Sequence, residues 1–289
     1  MEIKEALNKA VDFFKKHQIS QPRLDAEVLL AHLMGMERIQ LYVNYDLPLQ
    51  EDELKGYRQL IVKRVSPLPV AYLTGEKEFM SLALKVNPAV LIPRPETELL
   101  VEEVINFCQD QGLKEPNIVD IGTGSGAIAV SLAYYLAGAR VLGIDISRKA
   151  LAVARENICS YQLEERVKVI QGDLLEPLLK LHKNNVDIIV ANPPYIRATA
   201  MASLPPDVKK EPKEALWGGD DGLFFYKKLG QQVAQVLKPT GLLALEIGDD
   251  QAESVRCLFN QQLGPARLLK DYAGKNRIIL FERKQQVVS

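Results

Sequence analysis

From residue 117 onward the chain repeats one pattern, a short apolar run, then a loop, then a segment of helical period. That repetition confines it to an α/β fold on a mostly parallel sheet. Strands are expected at 117–121, 140–144, 166–170, 186–191 and 241–247, with helices at 125–137, 148–160, 223–237 and 250–262. The last two runs, 267–271 and 277–282, stand too close together for a helical crossover and must pair antiparallel. Seven strands in this order predict a doubly wound, mostly parallel sheet with an antiparallel C-terminal strand. Ahead of it, apolar residues such as Ile3, Leu7, Ala10, Val11 and Phe14 fall at helical spacing, and this continues to about residue 65. The first part therefore reads as a small helical bundle, stopped by Ser66-Pro67-Leu68-Pro69. A hairpin strand at 79–86 follows. The expected division is a helical domain at 1–75, a hairpin linker at 76–90 and the sheet-bearing domain at 91–289.

Composition narrows the function classes. Thirty-six basic against 37 acidic side chains give a formal charge of -1, so no overall positive field draws the chain to nucleic acid. Cys108, Cys159 and Cys257 are scattered and odd in number, which suits reduced thiols in a cytoplasmic protein. His17, His32 and His182 are scattered in the same way, so spacing offers no metal constellation. The N-terminal segment lacks the apolar core and cleavage site of a leader, and no apolar stretch approaches the ~20 residues of a membrane span. A cytoplasmic monomer with no metal and no membrane or nucleic-acid partner is expected.

Three motifs carry chemistry. Asp120-Ile121-Gly122-Thr123-Gly124-Ser125-Gly126 follows a strand and opens a helix, the context of a nucleotide-binding glycine loop. Gly124 and Ala127 also fit the looser dinucleotide pattern, so the loop alone does not separate nicotinamide from adenosylmethionine. Asp145 lies 19 residues beyond Gly126, at the end of the next strand. A carboxylate there accepts hydrogen bonds from both hydroxyls of a ribose, or else it belongs with Ser147 to a helix cap. Gly172-Asp173 follows the third strand, where an acid can meet an adenine amino group or simply serve a turn.

The third motif separates the cofactors. Asn192-Pro193-Pro194-Tyr195 ends the β-branched run at 186–191, and its two prolines make a rigid loop. The side-chain oxygen of Asn192 and a backbone carbonyl at the prolines can each accept one N–H of a flat NH2 group, while Tyr195 covers its face. An amide nitrogen is a poor nucleophile because its lone pair is delocalised. Two acceptors localise density on it, and orientation in a near-attack geometry is worth ~7 to 11 kcal/mol. Methyl transfer to such a nitrogen uses this equipment, and hydride transfer does not.

Other stretches are less decisive. In Ile92-Pro93-Arg94-Pro95-Glu96-Thr97-Glu98 the proline and acids mark a helix start, and Arg94 between prolines asks for a further reason. The long connection at 203–222 contains Glu211-Pro212 and Trp217-Gly218-Gly219-Asp220-Asp221-Gly222, a length usually tied to function. Trp217 reads equally as packing anchor and as contact residue.

Together these motifs resemble the bacterial peptide chain release factor glutamine methyltransferases, a branch of the class I S-adenosylmethionine-dependent methyltransferases. The resemblance covers almost the whole chain and rests most on the 92–98 motif and on Asn192-Pro193-Pro194-Tyr195. One departure is Lys210, where the family commonly carries an aromatic residue before Glu-Pro. The resemblance implies a Rossmann-like methyltransferase sheet and methylation of the glutamine in the Gly-Gly-Gln tripeptide of class-1 release factors. It further implies that Gly122, Thr123, Gly124, Ser125, Gly126, Asp145, Asp173 and Asn192 surround S-adenosylmethionine. Asn192, Pro193, Pro194 and Tyr195 would hold the glutamine, with Asn192 and Tyr195 catalytic, and the helical domain would dock part of the release factor. Two other readings stay open: an amino-group methyltransferase acting on adenine or guanine in DNA or RNA, and a nucleotide-binding scaffold without catalysis.

Overall fold

A computed structural model describes residues 1–181 and 185–283, and His182 lies outside the described residues. The chain forms two compact units, one of Met1–Glu76 with Pro205–Lys210, the other of Lys77–Leu204 with Glu211–Ser289.

The first unit is helical. Helices α1 (Ile3–Lys16), α2 (Pro22–Met34), α3 (Arg38–Val43), α4 (Glu51–Val65) and α5 (Val70–Thr74) bury Ile3, Leu7, Phe14, Leu29, Leu30, Leu41 and Tyr57. Pro22 starts α2 because its missing N–H is an orphan there in any case, and Gly35 ends it in the left-handed conformation. Two acids are buried and paired. Asp25 accepts from Arg64 at 2.7 Å, and Glu27 accepts from Arg23, Arg38 and Tyr42. Asp207, from the short stretch that joins this unit, lies 3.6 Å from the same Arg64.

The second unit opens with a two-stranded sheet, β1 (Glu76–Phe79) and β2 (Leu82–Lys85). The single strand expected at 79–86 is in fact a hairpin turned at Met80 and Ser81, whose φ values are +50° and +57°. No glycine marks this turn; the Met80 N–H is held by Glu98 Oε1 at 2.8 Å instead. Glu98 belongs to α6 (Pro95–Asp110).

The main sheet has seven strands in the order β5-β4-β3-β6-β7-β9-β8. These are β3 (Asn117–Ile121), β4 (Arg140–Asp145), β5 (Val167–Gln171), β6 (Val186–Ala191), β7 (Leu237–Glu246), β8 (Ala266–Lys270) and β9 (Asn276–Glu282). β9 runs antiparallel to both neighbours, and the other pairings are parallel. Alternate residues go to opposite faces. Ile118, Ile188, Val190, Leu242 and Ile278 enter one core, while Val119, Ile189, Leu243, Leu245 and Ile279 enter the other. The first core is closed by the hairpin, α6, α7 (Ala127–Tyr135) and α8 (Arg148–Ser160). The second is closed by α9 (Glu176–Lys180), α10 (Phe224–Val236) and α11 (Ala252–Leu263). A strand covered on both sides needs an unbroken apolar run, and β6 with Ile188, Ile189 and Val190 at 0% exposure is that run. No described helix is long and apolar enough to cross a membrane.

Candidate active site

The chain leaves β3 to build β4 and β5 on one side, then returns to place β6 on the other side of β3. That reversal makes β3 and β6 the topological switch point, where the carboxyl ends of neighbouring strands open a crevice. Strand register sets what lines it. Ile121 pairs with Ile144 and Ala191, and Ala191 pairs with Leu245. One residue further along each strand stand Asp145, Gly122, Asn192 and Glu246, side by side along one edge.

The glycine loop is shaped by its own hydrogen bonds. Gly122 and Thr123 donate to Ile144 O at 2.8 and 3.1 Å, and Gly126 donates to Thr123 O at 2.7 Å. Gly122 and Gly124 have φ of +69° and +56°, and a Cβ at Gly122 would meet nothing within 4 Å, so open space lies beside this backbone. Gly126 faces the other way, where a Cβ would come within 3.2 Å of Ala154 Cβ on α8. Its place in the motif is thus explained by helix packing. Ser125 is buried, and its carbonyl accepts from Asn157 Nδ2 at 2.8 Å. Thr123 Oγ1 donates to Asp120 Oδ2 at 2.6 Å, and complete burial pushes the Asp120 carboxyl up to about 7.

Asp145 both caps and remains available. Its Oδ2 accepts from Gly124 N at 2.9 Å and its Oδ1 from Ser147 N at 2.8 Å, while Ser147 caps α8 through Ala150 N. Each carboxylate oxygen keeps a second lone pair. Burial raises the Asp145 carboxyl above its ordinary value, against the N–H groups of Ser147 and Gly124 that lower it. Asp173, two residues past β5, is half-exposed and paired with Lys228 of α10 at 2.6 Å. That cation stands 55 residues away along the chain and has no local signal in the sequence.

Asn192 is half-buried and its Nδ2 donates to Thr97 Oγ1 at 3.1 Å. Thr97 Oγ1 in turn donates to Glu246 Oε2 at 2.6 Å, and the Tyr195 hydroxyl donates to Glu246 Oε1 at 3.3 Å. Burial pushes the Tyr195 phenol well above its ordinary value. Neither Pro193 nor Pro194 offers its carbonyl to a backbone N–H among the described residues. The loop is braced from outside. Ile196 N donates to Leu216 O, Gly218 N donates to Ile196 O, and Gln251 Nε2 donates to Tyr195 O at 3.1 Å. A Cβ at Gly218 would fall 2.7 Å from Tyr195 Cα, so only glycine permits this approach. Trp217 packs on Phe224 with ring centroids 5.9 Å apart.

Arg94 and the long connection also find their reason. Arg94 Nη2 lies 2.5 Å from Glu211 Oε1, and the other oxygen of this buried acid accepts from Ile92 N at 3.0 Å. The pair ties the 92–98 motif to the segment after the proline loop. Thr97 and Glu246 were not singled out from sequence, although an acid closing the apolar run of β7 was a visible signal. Beside Tyr195 opens a groove of about 270 Å³, whose lining includes Ile196, Arg197, Asp250, Gln251, Lys275 and Arg277. Among the described residues no group of three or more His, Cys, Asp or Glu is placed to hold a metal ion.

Comparison with known proteins decides the family. Residues 113–271 match the family model described as a methyltransferase domain, and residues 5–75 the one described as a PrmC N-terminal domain. The chain is 45% identical over 289 residues to the release factor glutamine methyltransferase of Moorella thermoacetica, covering 99% of this chain and 100% of that protein. It is 40% identical over 285 residues to the release factor glutamine methyltransferase of Clostridium acetobutylicum, covering 98% and 99%. The chain belongs to the release factor glutamine methyltransferase family. The fold of this family member also resembles the hMettl16 catalytic domain solved with a MAT2A 3'UTR hairpin. The TM-score is 0.58 at 15% identity, covering 89% of this chain and 92% of that one. A methyltransferase from Pyrococcus furiosus gives a TM-score of 0.52 at 18% identity, covering 72% and 92%. At these identities the likeness speaks for the fold of a release factor glutamine methyltransferase and not for its substrate.

Proposed function

We propose that the chain methylates the side-chain amide nitrogen of the glutamine in the Gly-Gly-Gln tripeptide of class-1 peptide chain release factors. S-adenosylmethionine is the donor and S-adenosylhomocysteine the product. The observation that carries the site assignment is Asn192 at the switch point, its NH2 tied back to Thr97. That tie leaves its carbonyl oxygen as an acceptor next to the glycine loop. A planar NH2 is what such a receptor suits.

The residues present fit the donor. The open backbone beside Gly122 and Gly124 passes close to it. Asp145 has lone pairs left for ribose hydroxyls, and Asp173, held by Lys228, is the acid that takes the adenine amino group. Thr123, Ser125 and Gly126 hold the loop in shape. S-adenosylmethionine supplies a methyl group on a cationic sulfonium, and this calls for no metal. Asn192 Oδ1 and a carbonyl at Pro193 or Pro194 each accept one N–H of the glutamine amide, which frees its lone pair from conjugation and fixes its direction. Tyr195 covers the flat face. The methylated nitrogen sheds its proton afterwards, so no general base is needed.

The groove beside Tyr195 suits the peptide on either side of the glutamine. The helical unit, with Ile39 and Val43 exposed at 64% and 80%, is the part that docks the rest of the release factor. The protein acts as a cytoplasmic monomer, and the formal charge of -1 speaks against nucleic acid as substrate. Asn192→Ala is expected to lower kcat about 100-fold or more while S-adenosylmethionine affinity stays within about threefold. Radiolabel transfer and calorimetry read the two quantities separately, and near-normal turnover would remove Asn192 from the site.

A further inference from the structure

We infer that Thr97 and Glu246 form a polarity-setting relay that fixes which end of the Asn192 amide faces the methyl acceptor. The inference rests on the reading that Asn192 accepts a hydrogen bond from the acceptor nitrogen.

The two ends of a primary amide have nearly the same size, so packing alone does not choose between them. Only hydrogen bonding does. If Asn192 turned its NH2 toward the acceptor, two donors would face each other and the acceptor would be held off. Strand register places Glu246 beside Asn192, because Ala191 pairs with Leu245. The first turn of α6 brings Thr97 between them, buried to 4% exposure.

A threonine hydroxyl has one proton. Thr97 commits it to Glu246 Oε2 at 2.6 Å, so toward Asn192, at 3.1 Å, its oxygen can only accept. The group that donates must be the NH2 of Asn192. Oδ1 is thereby turned away from Thr97, and it has no hydrogen-bond donor among the described residues. The other oxygen of Glu246 takes the Tyr195 hydroxyl at 3.3 Å, so one carboxylate orients both groups that handle the acceptor.

The relay runs this way only while Glu246 is ionised. A proton on Oε2 makes Glu246 the donor to Thr97. The threonine proton is then free to point at Asn192, and the amide turns its oxygen inward and its NH2 toward the acceptor. The groups facing Glu246 are Glu96 and Thr97 of α6, Tyr195, Arg277 of β9 with its partner Asp271, and Tyr226 of α10. Tyr226 donates to the Glu246 backbone carbonyl at 2.8 Å and not to its carboxylate. Complete burial raises the Glu246 carboxyl to about 7, against Thr97, Arg277 and Tyr195, so the change of state falls in the working range.

The test compares Thr97→Val, Thr97→Ser, Glu246→Gln and Asn192→Ala with the unaltered enzyme, using intact release factor as acceptor. Thermal melting and S-adenosylmethionine binding serve as folding controls. The unaltered enzyme and Thr97→Ser are expected to show an acid limb in kcat/KM with an apparent pKa near 7. Thr97→Val, which keeps the shape and loses the hydroxyl, is expected to lose about 10- to 100-fold in kcat with cofactor affinity within about threefold. Its acid limb should flatten between about pH 6 and about pH 8.5. Glu246→Gln, which cannot take up the proton, should flatten it too and decides the matter should Thr97→Val fold poorly. A purely structural Thr97 would lower kcat and leave the limb in place. A retained limb in both variants, or kcat of Thr97→Val within about threefold of the unaltered enzyme, overturns the relay. If this happens while Asn192→Ala is inactive, the relay alone falls. If Asn192→Ala itself is active, the reading of Asn192 falls and takes the relay with it.

Discussion

At the residue scale the site is a matter of how many lone pairs each acceptor has left. Asp145 gives one position on each oxygen to Gly124 and Ser147, and what remains suits a diol. Asp145→Ala is therefore expected to weaken S-adenosylmethionine binding by about 30-fold or more, since hydrogen bonds to a charged group are worth ~1.5 to 3 kcal/mol each. Calorimetry giving unchanged affinity would assign Asp145 to capping alone. Asp145 and Asn192 were legible in the sequence because each ends a strand that its own apolar run announces. Glu246 ends a strand in the same way, but its link to Thr97 and the link of Thr97 to Asn192 were not legible, since these partners are 149 and 95 residues distant along the chain and only the fold brings α6 against the strand ends. The Lys228 partner of Asp173 was hidden for the same reason.

At the scale of elements the proline loop depends on a brace that the sequence showed only as a glycine-rich run. Gly218 lets residues 216–218 lie against Tyr195 and Ile196, with a virtual Cβ 2.7 Å from Tyr195 Cα. Gly218→Ala must push the brace away, at a cost of ~1 to 3 kcal/mol in stability. A drop in kcat larger than any drop in cofactor affinity is expected, because the glycine loop at 122–126 lies on a different strand end. Parallel losses in both would mean that the brace supports the whole edge. The helices and most strands were readable from period and punctuation, to within a residue or two for α8 and β6. The hairpin turn was not, because both of its residues, Met80 and Ser81, take positive φ and neither is a glycine or asparagine that would announce it. Its left-handed backbone is held by tertiary contact with Glu98. The short α9 went unforeseen because five residues are too few to show a period.

At the scale of the molecule, two buried acids make stability and activity oppose each other with pH. Asp120 and Glu246 are each raised to about 7, from ordinary values of 3.8 and 4.5. The folded state thus holds these protons more tightly than the unfolded chain does. The stabilisation is fully present below the unfolded values and is lost as pH rises through about 7, on the order of a few kcal/mol. The melting temperature of the cofactor-free protein should fall between about pH 5 and about pH 8, and Asp120→Asn should flatten that slope. A melting temperature that climbs over this range would mean the acids are ionised and satisfied as they stand. The doubly wound order was legible because strand and helix alternate in sequence, whereas the joining of residues 205–210 to the helical unit left no local trace. What the assembled site does is read most directly by transfer of a tritiated methyl group from S-adenosylmethionine. Intact class-1 release factor, its variant with Gly-Gly-Ala in place of Gly-Gly-Gln, and DNA are offered side by side. Label is expected in the intact factor and in neither of the others, while label in DNA, or equal label in the Gly-Gly-Ala factor, would contradict the assignment of Asn192, Pro193, Pro194 and Tyr195 to a protein glutamine.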